Sequence, residues 1–191
     1  MNLEQAKKIL GEEFSRDADF LSSIVQKLGL PINSNLLDVG TGRAHMAMII
    51  ALNGYKVITG QPGDVYWADW RVSAKKVGVE EMIIFKPFNA EKLPFNKDSF
   101  DAIFLYTTFH HIDNKERAFN ELMRVLKYKR ILAIIELTDK GVESVRERYR
   151  GHPDAVDPRD YTKNLDLEVE VIESRHLNGY LYKKRLGFYH K

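Results

Sequence analysis

Residues 38–44, Asp-Val-Gly-Thr-Gly-Arg-Ala, have the types and spacing of a loop that holds a small ligand. Gly40 and Gly42 let the main chain turn tightly and approach a ligand closely. The apolar run before them predicts a strand, and the run after them predicts a helix, whose N-terminus offers free N–H groups and a positive dipole. The segment therefore predicts a ligand site at the carboxyl end of a strand, with a purely structural turn as the alternative.

Two adjacent histidines, His110 and His111, form a second group that could do chemistry. They follow an apolar run that predicts another strand. An unperturbed imidazole has a pKa of about 6.5 and accepts protons near neutral pH. We interpret either histidine as a candidate general base, with packing or capping of the next helix as the alternative. We expect no metal site here, because no further ligands cluster with the pair in the sequence.

Alternating helix and strand patterns must position these residues. Helices are predicted at 3–13, 16–28, 43–53, 65–77, 114–127 and 141–150, and strands at 35–39, 55–59, 82–88, 100–107, 131–137, 167–173 and 180–186. The apolar middle strands suit a parallel sheet that is covered on both faces. Asn178-Gly179, between the last two runs, predicts a hairpin turn. The predicted fold class is α/β, a doubly wound seven-stranded mostly parallel sheet with a C-terminal antiparallel hairpin.

The composition narrows the classes of protein that the chain can belong to. Its 191 residues fit one domain, and a net charge of +2 gives no argument for nucleic acid by itself. The absence of cysteine excludes disulfides, thiolate metal sites and cysteine nucleophiles, and it suits a reducing compartment. No apolar run is long enough to span a membrane, and the first residues lack the pattern of a signal peptide. We therefore expect a cytoplasmic protein.

Four motifs in order resemble those of class I S-adenosylmethionine (SAM)-dependent methyltransferases. They are the glycine loop, residues 89–103 (Asn-Ala-Glu-Lys-Leu-Pro-Phe to Asp-Ala-Ile), Phe-His-His-Ile at 109–112 and Arg-Val-Leu-Lys at 124–127. Together they look like the small type 11 methyltransferase family, which includes ubiquinone-biosynthesis-like enzymes. The resemblance covers about half of the chain. A loop that binds nicotinamide would prefer Gly-x-Gly-x-x-Gly, and position 45 is His.

The resemblance implies a role for each matching residue, with SAM as the cofactor. Gly40, Thr41 and Gly42 should pass close to the methionine part of SAM, and Asp38 should organise the loop and the ligand's ammonium group. Asn89 and Ala90 should meet the adenine, and Tyr106 should line the methionine end. His111, favoured over His110 by the resemblance, should lie where the methyl group points. The ribose position falls on Gln61, or on Pro62 in an alternative register.

Four places in the chain depart from the family pattern. The family expects an acidic residue at the ribose position and often an aspartate at the adenine position, where this chain has Gln61 and Asn89. Each change is expected to cost about 1 kcal/mol, or roughly five-fold in affinity for SAM. Ala44 replaces the third glycine of the loop, which we expect to be tolerated because only one methyl group is added. Residues 127–130 replace Lys-Pro-Gly-Gly and predict a different turn.

The C-terminal segment 174–191 has five Lys or Arg and no acidic residue. Aromatic residues interleave with these charges, so the segment could contact an acidic substrate or RNA. The alternative is a solvated edge hairpin that lysines protect.

The sequence as a whole predicts a SAM-dependent methyltransferase that acts on an O, N or C nucleophile of a small-molecule acceptor. The alternative is a non-catalytic or retuned SAM- or nucleotide-binding protein, which the two amides suggest. We expect one domain over 1–191, with a helical lid at 1–30, a cofactor-binding core at 31–137 and C-terminal helices and hairpin at 138–191.

Overall fold

The computed structural model describes residues 1–63 and 69–185. Its helices are α1 (Leu3–Leu10), α2 (Glu12–Lys27), α3 (His45–Leu52), α4 (Trp70–Lys76), α5 (Lys115–Val125) and α6 (Asp139–Arg146). Its strands are β1 (Leu36–Val39), β2 (Val57–Gly60), β3 (Ile83–Phe85), β4 (Phe100–Tyr106), β5 (Leu126–Leu137), β6 (Leu167–Glu173) and β7 (Leu177–Lys184). Part of the helix predicted at 65–77 lies outside the described residues.

The chain forms two compact units, residues 1–89 and 90–191. Their boundary falls inside the predicted cofactor-binding core, and the single-domain organisation with its helical lid stays a prediction.

In the first unit β1, β2 and β3 pair in parallel, with Asp38 opposite Thr59 and Val39 opposite Gly60. Helix α3 is almost entirely apolar and buried, as expected for a helix covered by other elements on most sides. Helix α2 packs on it through an amphipathic face, and Asn53 at the end of α3 hydrogen-bonds with Ser22 and Gln26 of α2. This packing holds α3, the helix that follows the glycine loop, against α2.

In the second unit β4 and β5 are parallel, while β7 is antiparallel to both β5 and β6. The buried face of α5 packs against β5. Among the described residues seven strands form the sheet, in the order β3-β2-β1-β4-β5-β7-β6. The predicted fold class is therefore confirmed. No helix among the described residues is long and apolar enough to cross a membrane.

The C-terminal hairpin forms where it was predicted, but the predicted turn is wrong. Asn178 and Gly179 lie inside β7, opposite Glu173 and Ile172. The chain turns instead at Ser174–His176, where the Ser174 side chain and main chain both bond to Leu177. A serine that closes a turn with its own hydroxyl group competes with Asn-Gly for that role.

In the described part of the basic C-terminal segment, lysines do not protect an edge strand. Strand β7 lies between β5 and β6, and its residues Tyr180, Tyr182 and Lys184 are buried. The Lys184 ammonium donates to the carbonyl of Leu126. The edge strand is β6, whose exposed side chains include glutamates. The last part of the basic segment, 186–191, lies outside the described residues.

The predicted change of turn at 127–130 takes the form of a bulge in β5. Between the pairs Phe100–Leu126 and Ala102–Ile131, β5 advances five residues while β4 advances two. Lys127 and Arg130 of the bulge pair with Asp101, at 2.9 Å and 3.3 Å. The extra residues are therefore tied to the neighbouring strand by charge instead of turning through glycines.

Candidate functional site

The glycine loop joins β1 to α3 through backbone conformations that favour glycine. Gly40 has φ of 94° and Gly42 has φ of 48°, both in the left-handed region. The N–H of Gly40 donates to the carbonyl of Gly60 at 2.8 Å, which holds the loop against the end of β2. These two positions therefore form the tight turn that the sequence predicts.

Ala44, at the end of the loop, also adopts a left-handed conformation, with φ of 58°. The methyl group added at this position has a small volume. The structure shows a backbone cost as well, because an L-residue with a Cβ is strained by about 1–2 kcal/mol in this region. The substitution is accommodated in the fold, but at the expense of stability.

Asp38 is a buried carboxylate behind this loop. It is 1% exposed, and its Oδ2 accepts a hydrogen bond from the Thr59 hydroxyl group at 2.8 Å. The Thr41 hydroxyl lies 2.9 Å from that of Thr59, so a chain of hydroxyl groups runs from the loop to the carboxylate. Oδ1 of Asp38 has no hydrogen-bond partner among the described residues. A buried polar atom in this state is costly and needs a functional or solvent explanation.

The same burial changes the acidity of Asp38. Desolvation raises the pKa of this carboxyl to about 7, although the hydrogen bond from Thr59 favours the charged form and lowers it. A positively charged ligand group beside Oδ1 would oppose the desolvation and favour the charged carboxylate. The electrostatics of the site therefore fit a cationic ligand group.

Gln61, the residue predicted at the ribose position, follows β2 directly. Its side-chain Oε1 accepts a hydrogen bond from the N–H of Gly42 at 2.8 Å. Only glycine fits at the preceding position, Gly60, because a Cβ there would lie 2.0 Å from the carbonyl oxygen of Lys86. Pro62, the alternative position, is exposed and supplies no N–H. Of these two residues, Gln61 is the one whose side chain contacts the loop.

Helix α2 reaches the end of the glycine loop from the other side. Glu13 pairs with Arg43 at 2.7 Å, and the ring of Phe14 packs edge-on against His45 at 5.5 Å. His45 is thus half-buried rather than facing solvent, and burial lowers its pKa. A cleft of about 110 Å³ is lined by residues of α1, α2, α3 and α4, Phe14 and His45 among them.

The remaining predicted cofactor residues occupy strand ends and turns. Asn89 is exposed at the end of the first unit, and Ala90 is 9% exposed at the start of the second. Tyr106 is the last residue of β4 and is half-buried. The next residue, Thr107, has φ of 47°, which is rare for a β-branched residue. Such strained positions often occur beside functional sites.

His110 and His111 lie in a single 3₁₀ turn after β4, at 109–111. His110 is buried, and its Nδ1 lies 2.6 Å from Oε2 of Glu136, in β5. The other oxygen of Glu136 accepts the N–H of Phe109 at 2.7 Å and that of His110 at 3.3 Å. Nε2 of His110 has no hydrogen-bond partner among the described residues. Glu136 therefore fixes both the turn and the ring.

His111 is the exposed member of the pair, and its ring lies 4.0 Å from that of His110. Burial of part of the ring, together with the neighbouring His110 and His152, lowers the pKa of His111 to about 4. His152, in the segment after α6, lies 5.7 Å from His111 and 4.9 Å from His110, ring to ring. The pKa of His111 is therefore below the value of about 6.5 expected from the sequence, and His111 is neutral at pH 7.

Three residues of these sites were missed by the sequence analysis. Thr59 and Glu136 are polar residues within otherwise apolar strands, and that pattern could have singled them out. His152 joins the histidine pair from a segment far along the chain, and nothing in its local sequence indicates this. The expected absence of further ligands near the pair holds along the sequence but not in space.

Comparison with known proteins places this geometry in a family. The family model described as "Methyltransferase domain" matches residues 37–134, just over half of the chain. A ubiquinone/menaquinone biosynthesis C-methyltransferase UbiE from Pectobacterium carotovorum is 28% identical over 65% of this chain and 52% of its own length. The UbiE of Methylococcus capsulatus is 33% identical over 38% of this chain and 29% of its own. The chain spans about half or less of the length of these curated relatives.

Solved structures are similar over more of the chain. A SAM-dependent methyltransferase from Aquifex aeolicus matches 95% of this chain and 98% of its own, with a TM-score of 0.65 and 21% identity. A possible histamine N-methyltransferase from Thermotoga maritima matches 95% and 94%, with a TM-score of 0.64 and 17% identity. At these identities the structures show the shared fold alone. The family match, on the residues that carry the glycine loop and the histidine pair, shows that the chain belongs to the type 11 methyltransferase-domain family.

Proposed function

We propose that the protein is a SAM-dependent methyltransferase that transfers a methyl group to an O, N or C nucleophile of a small-molecule acceptor. The observation that carries this proposal is the buried Asp38 carboxylate with one unpartnered oxygen, directly behind a glycine loop that opens a helix. Family membership supports the same reaction.

The residues present fit SAM as the cofactor. SAM supplies a methyl group on a sulfonium, which the acceptor's lone pair attacks while the carbon–sulfur bond breaks. The unpartnered oxygen of Asp38 offers an acceptor for an ammonium group, and a cationic partner offsets the desolvation that raises its pKa. Charge-assisted hydrogen bonds of this kind contribute about 1.5–3 kcal/mol.

The glycine loop has a backbone suited to close approach of a ligand. Gly40 and Gly42 carry no side chain at the turn, and Thr41 is held by its contact with Thr59. Gln61 accepts the N–H of Gly42 through its amide oxygen, which holds its side chain beside the loop, where the family resemblance puts the ribose. We assign Pro62, Asn89, Ala90 and Tyr106 to the walls of the cofactor site on the family resemblance.

We assign proton acceptance to the histidine pair, with His111 as the first candidate. A neutral imidazole has a lone pair for the acceptor's proton, and the low pKa of His111 keeps it neutral at pH 7. The same low pKa makes it a weaker base than free imidazole. Alignment of acceptor and methyl group must therefore supply most of the rate.

The names of the UbiE relatives describe methylation at carbon in quinone biosynthesis. For this chain a carbon nucleophile is one of the three acceptor types proposed. A cytoplasmic location belongs to the same proposal and rests on the absence of cysteine, which suits a reducing compartment.

Turnover with a panel of small phenols, amines and activated carbon acids tests the proposal, with formation of S-adenosylhomocysteine (SAH) as the readout. With an acceptor that reacts, His111→Ala should lower kcat by about 100-fold or more if His111 accepts the proton, without changing SAH affinity. His176→Asn, a histidine outside the cluster, is the matched control. SAH binding without turnover on any acceptor would favour the non-catalytic alternative.

A further inference from the structure

Three imidazoles converge within the unit 90–191. His110 and His111 come from the turn after β4, and His152 from the segment after α6. Each offers one ring nitrogen, and these three nitrogens lie within 4.8 Å of one another. Three nitrogens bound to one tetrahedral metal, at about 2.0–2.1 Å each, lie about 3.4 Å apart. Small rotations of the exposed His111 and the half-buried His152 are enough to close the difference.

Two of the three rings are already held in the tautomer that binds a metal through Nε2. Nδ1 of His110 faces the carboxylate of Glu136, which already accepts backbone N–H groups, so Nδ1 carries the proton. Nδ1 of His152 lies 2.9 Å from the carbonyl oxygen of Pro153, which can only accept. In the neutral form of each ring, Nε2 then carries the lone pair. Carboxylates and backbone carbonyls hold metal-binding histidines in this way.

The unpartnered Nε2 of His110 is a second, independent indication of a ligand. The His110 side chain is 2% exposed, and this nitrogen has no hydrogen-bond partner among the described residues. A buried lone pair in this state has lost water without a replacement. A cation shared with His111 and His152 would supply that replacement.

His152 is held in place by its main chain. Arg146 of α6 donates two hydrogen bonds to the His152 carbonyl, at 2.9 Å and 2.7 Å, and also pairs with Asp154 at 2.7 Å. This clamp fixes the segment that carries the imidazole. Behind the cluster the carboxylate of Glu136 contacts the His110 ring. The ammonium group of Lys115, a neighbouring cation, donates to the carbonyl of Ile112.

We propose that His110, His111 and His152 form a binding site for a divalent transition metal of the zinc class, with Glu136 as the residue that orients His110. Three imidazoles leave a fourth position open to water or another oxygen ligand, as in Lewis-acid sites rather than closed structural ones. The inference concerns cation binding, but a cation held by His111 occupies the lone pair that proton acceptance needs. If His111 is also the proton acceptor, Zn²⁺ should inhibit methyl transfer.

Zn²⁺ binding to the untagged full chain, measured against a chromophoric chelator, tests the site. We expect one Zn²⁺ per chain in the micromolar range or tighter, and a higher melting temperature in its presence. Co²⁺ in place of Zn²⁺ should give the intense visible bands of four-coordinate cobalt.

The variants separate this site from adventitious binding. His152→Asn should weaken Zn²⁺ binding by at least about 10-fold, and Glu136→Gln by about 10- to 100-fold through loss of orientation. His176→Asn, the matched control in the same unit, should change nothing. Because Glu136 is buried and its variant could fail to fold, the His152 variant decides the test. No stoichiometric Zn²⁺ binding, or equal affinity in the His152 and His176 variants, would overturn the proposal.

Discussion

Among the described residues, each unit holds one carboxylate that is 1% exposed, and the two carboxylates differ in the hydrogen bonds that they accept. Glu136 in β5 uses both oxygens, one on two backbone N–H groups and one on the His110 ring. Asp38 in β1 has a single hydroxyl donor and one unpartnered oxygen. A buried carboxylate whose oxygens all accept hydrogen bonds orients its neighbours. A buried carboxylate with an oxygen that lacks a hydrogen bond lowers the stability of the fold unless a ligand supplies the missing donor. The comparison supports the proposal that Asp38 contacts a bound ligand, whereas both oxygens of Glu136 already accept hydrogen bonds within the fold.

The largest expected effect is on the pH dependence of stability. The native pKa of Asp38 is raised to about 7, above an unfolded value of about 3.9, so between these values the native state binds more protons than the unfolded state. The free energy of unfolding should therefore fall as pH rises across this range, by up to about 1.4 kcal/mol per pH unit from this group. Urea unfolding at several pH values measures the slope.

Asp38→Asn should flatten that slope, because the titrating group is gone. His176→Asn should leave it unchanged. Equal slopes in the wild-type protein and the Asp38 variant would mean that Asp38 is compensated by groups that this account does not include.

Asp38→Asn should also weaken SAH binding, by about 10- to 100-fold, because a neutral amide cannot replace a charged acceptor for an ammonium group. Calorimetry at a pH above 7 gives the cleanest comparison, since the wild-type carboxylate is then charged. Zn²⁺ binding to the histidine cluster should be the same in both proteins. If the Asp38 variant lost both SAH binding and Zn²⁺ binding, the variant would be misfolded, and the result would contradict the loss of a single contact.

The two regions also differ in how far the sequence predicted them. The glycine loop was predicted correctly because its chemistry lies in consecutive residues, and glycines before a helix impose their backbone conformation locally. Each strand was found near its predicted place, because buried parallel strands are apolar throughout. The hairpin turn was predicted at Asn178-Gly179, because that pair is common in such turns. The chain turns earlier, because hydrogen bonds of the Ser174 side chain close the turn there.

The histidine cluster could be predicted only in part. His110 and His111 stand out as neighbours, but Glu136 orients them from another strand and His152 joins them from a distant segment. Such contacts depend on the register between β4 and β5 and on the path of the chain after α6. Neither is encoded in a local pattern of residues. The lowered pKa of His111 depends on the same contacts, so it could not be predicted from the sequence.

Ala44→Gly, at the end of the glycine loop, should raise the free energy of unfolding by about 1 kcal/mol. The reason is relief of the left-handed strain at φ of 58°. Ala47→Gly, inside α3, is the matched control and should lower stability by about 1 kcal/mol, since glycine weakens a helix interior. Chemical unfolding of both variants is the measurement. The same sign of change in both would show that Ala44 is not strained.

Gln61→Glu should give the smallest effect, an increase of about five-fold in SAM and SAH affinity. A glutamate keeps an oxygen on the N–H of Gly42 and adds a charged acceptor for ribose hydroxyl groups. Gln61→Ala, which removes both contacts, should weaken binding. A loss of affinity in the glutamate variant would mean that the ribose group does not lie at Gln61.

Calorimetric titration of the wild-type protein with SAM and SAH, beside NAD and ATP, tests whether the glycine loop and Asp38 bind SAM. We expect micromolar binding of SAM and SAH, none of NAD or ATP, and stabilisation by about 2.7 kcal/mol at 100 times the dissociation constant. Tighter binding of NAD or ATP, or no binding of SAM and SAH, would contradict this expectation and leave the uncompensated Asp38 to another ligand.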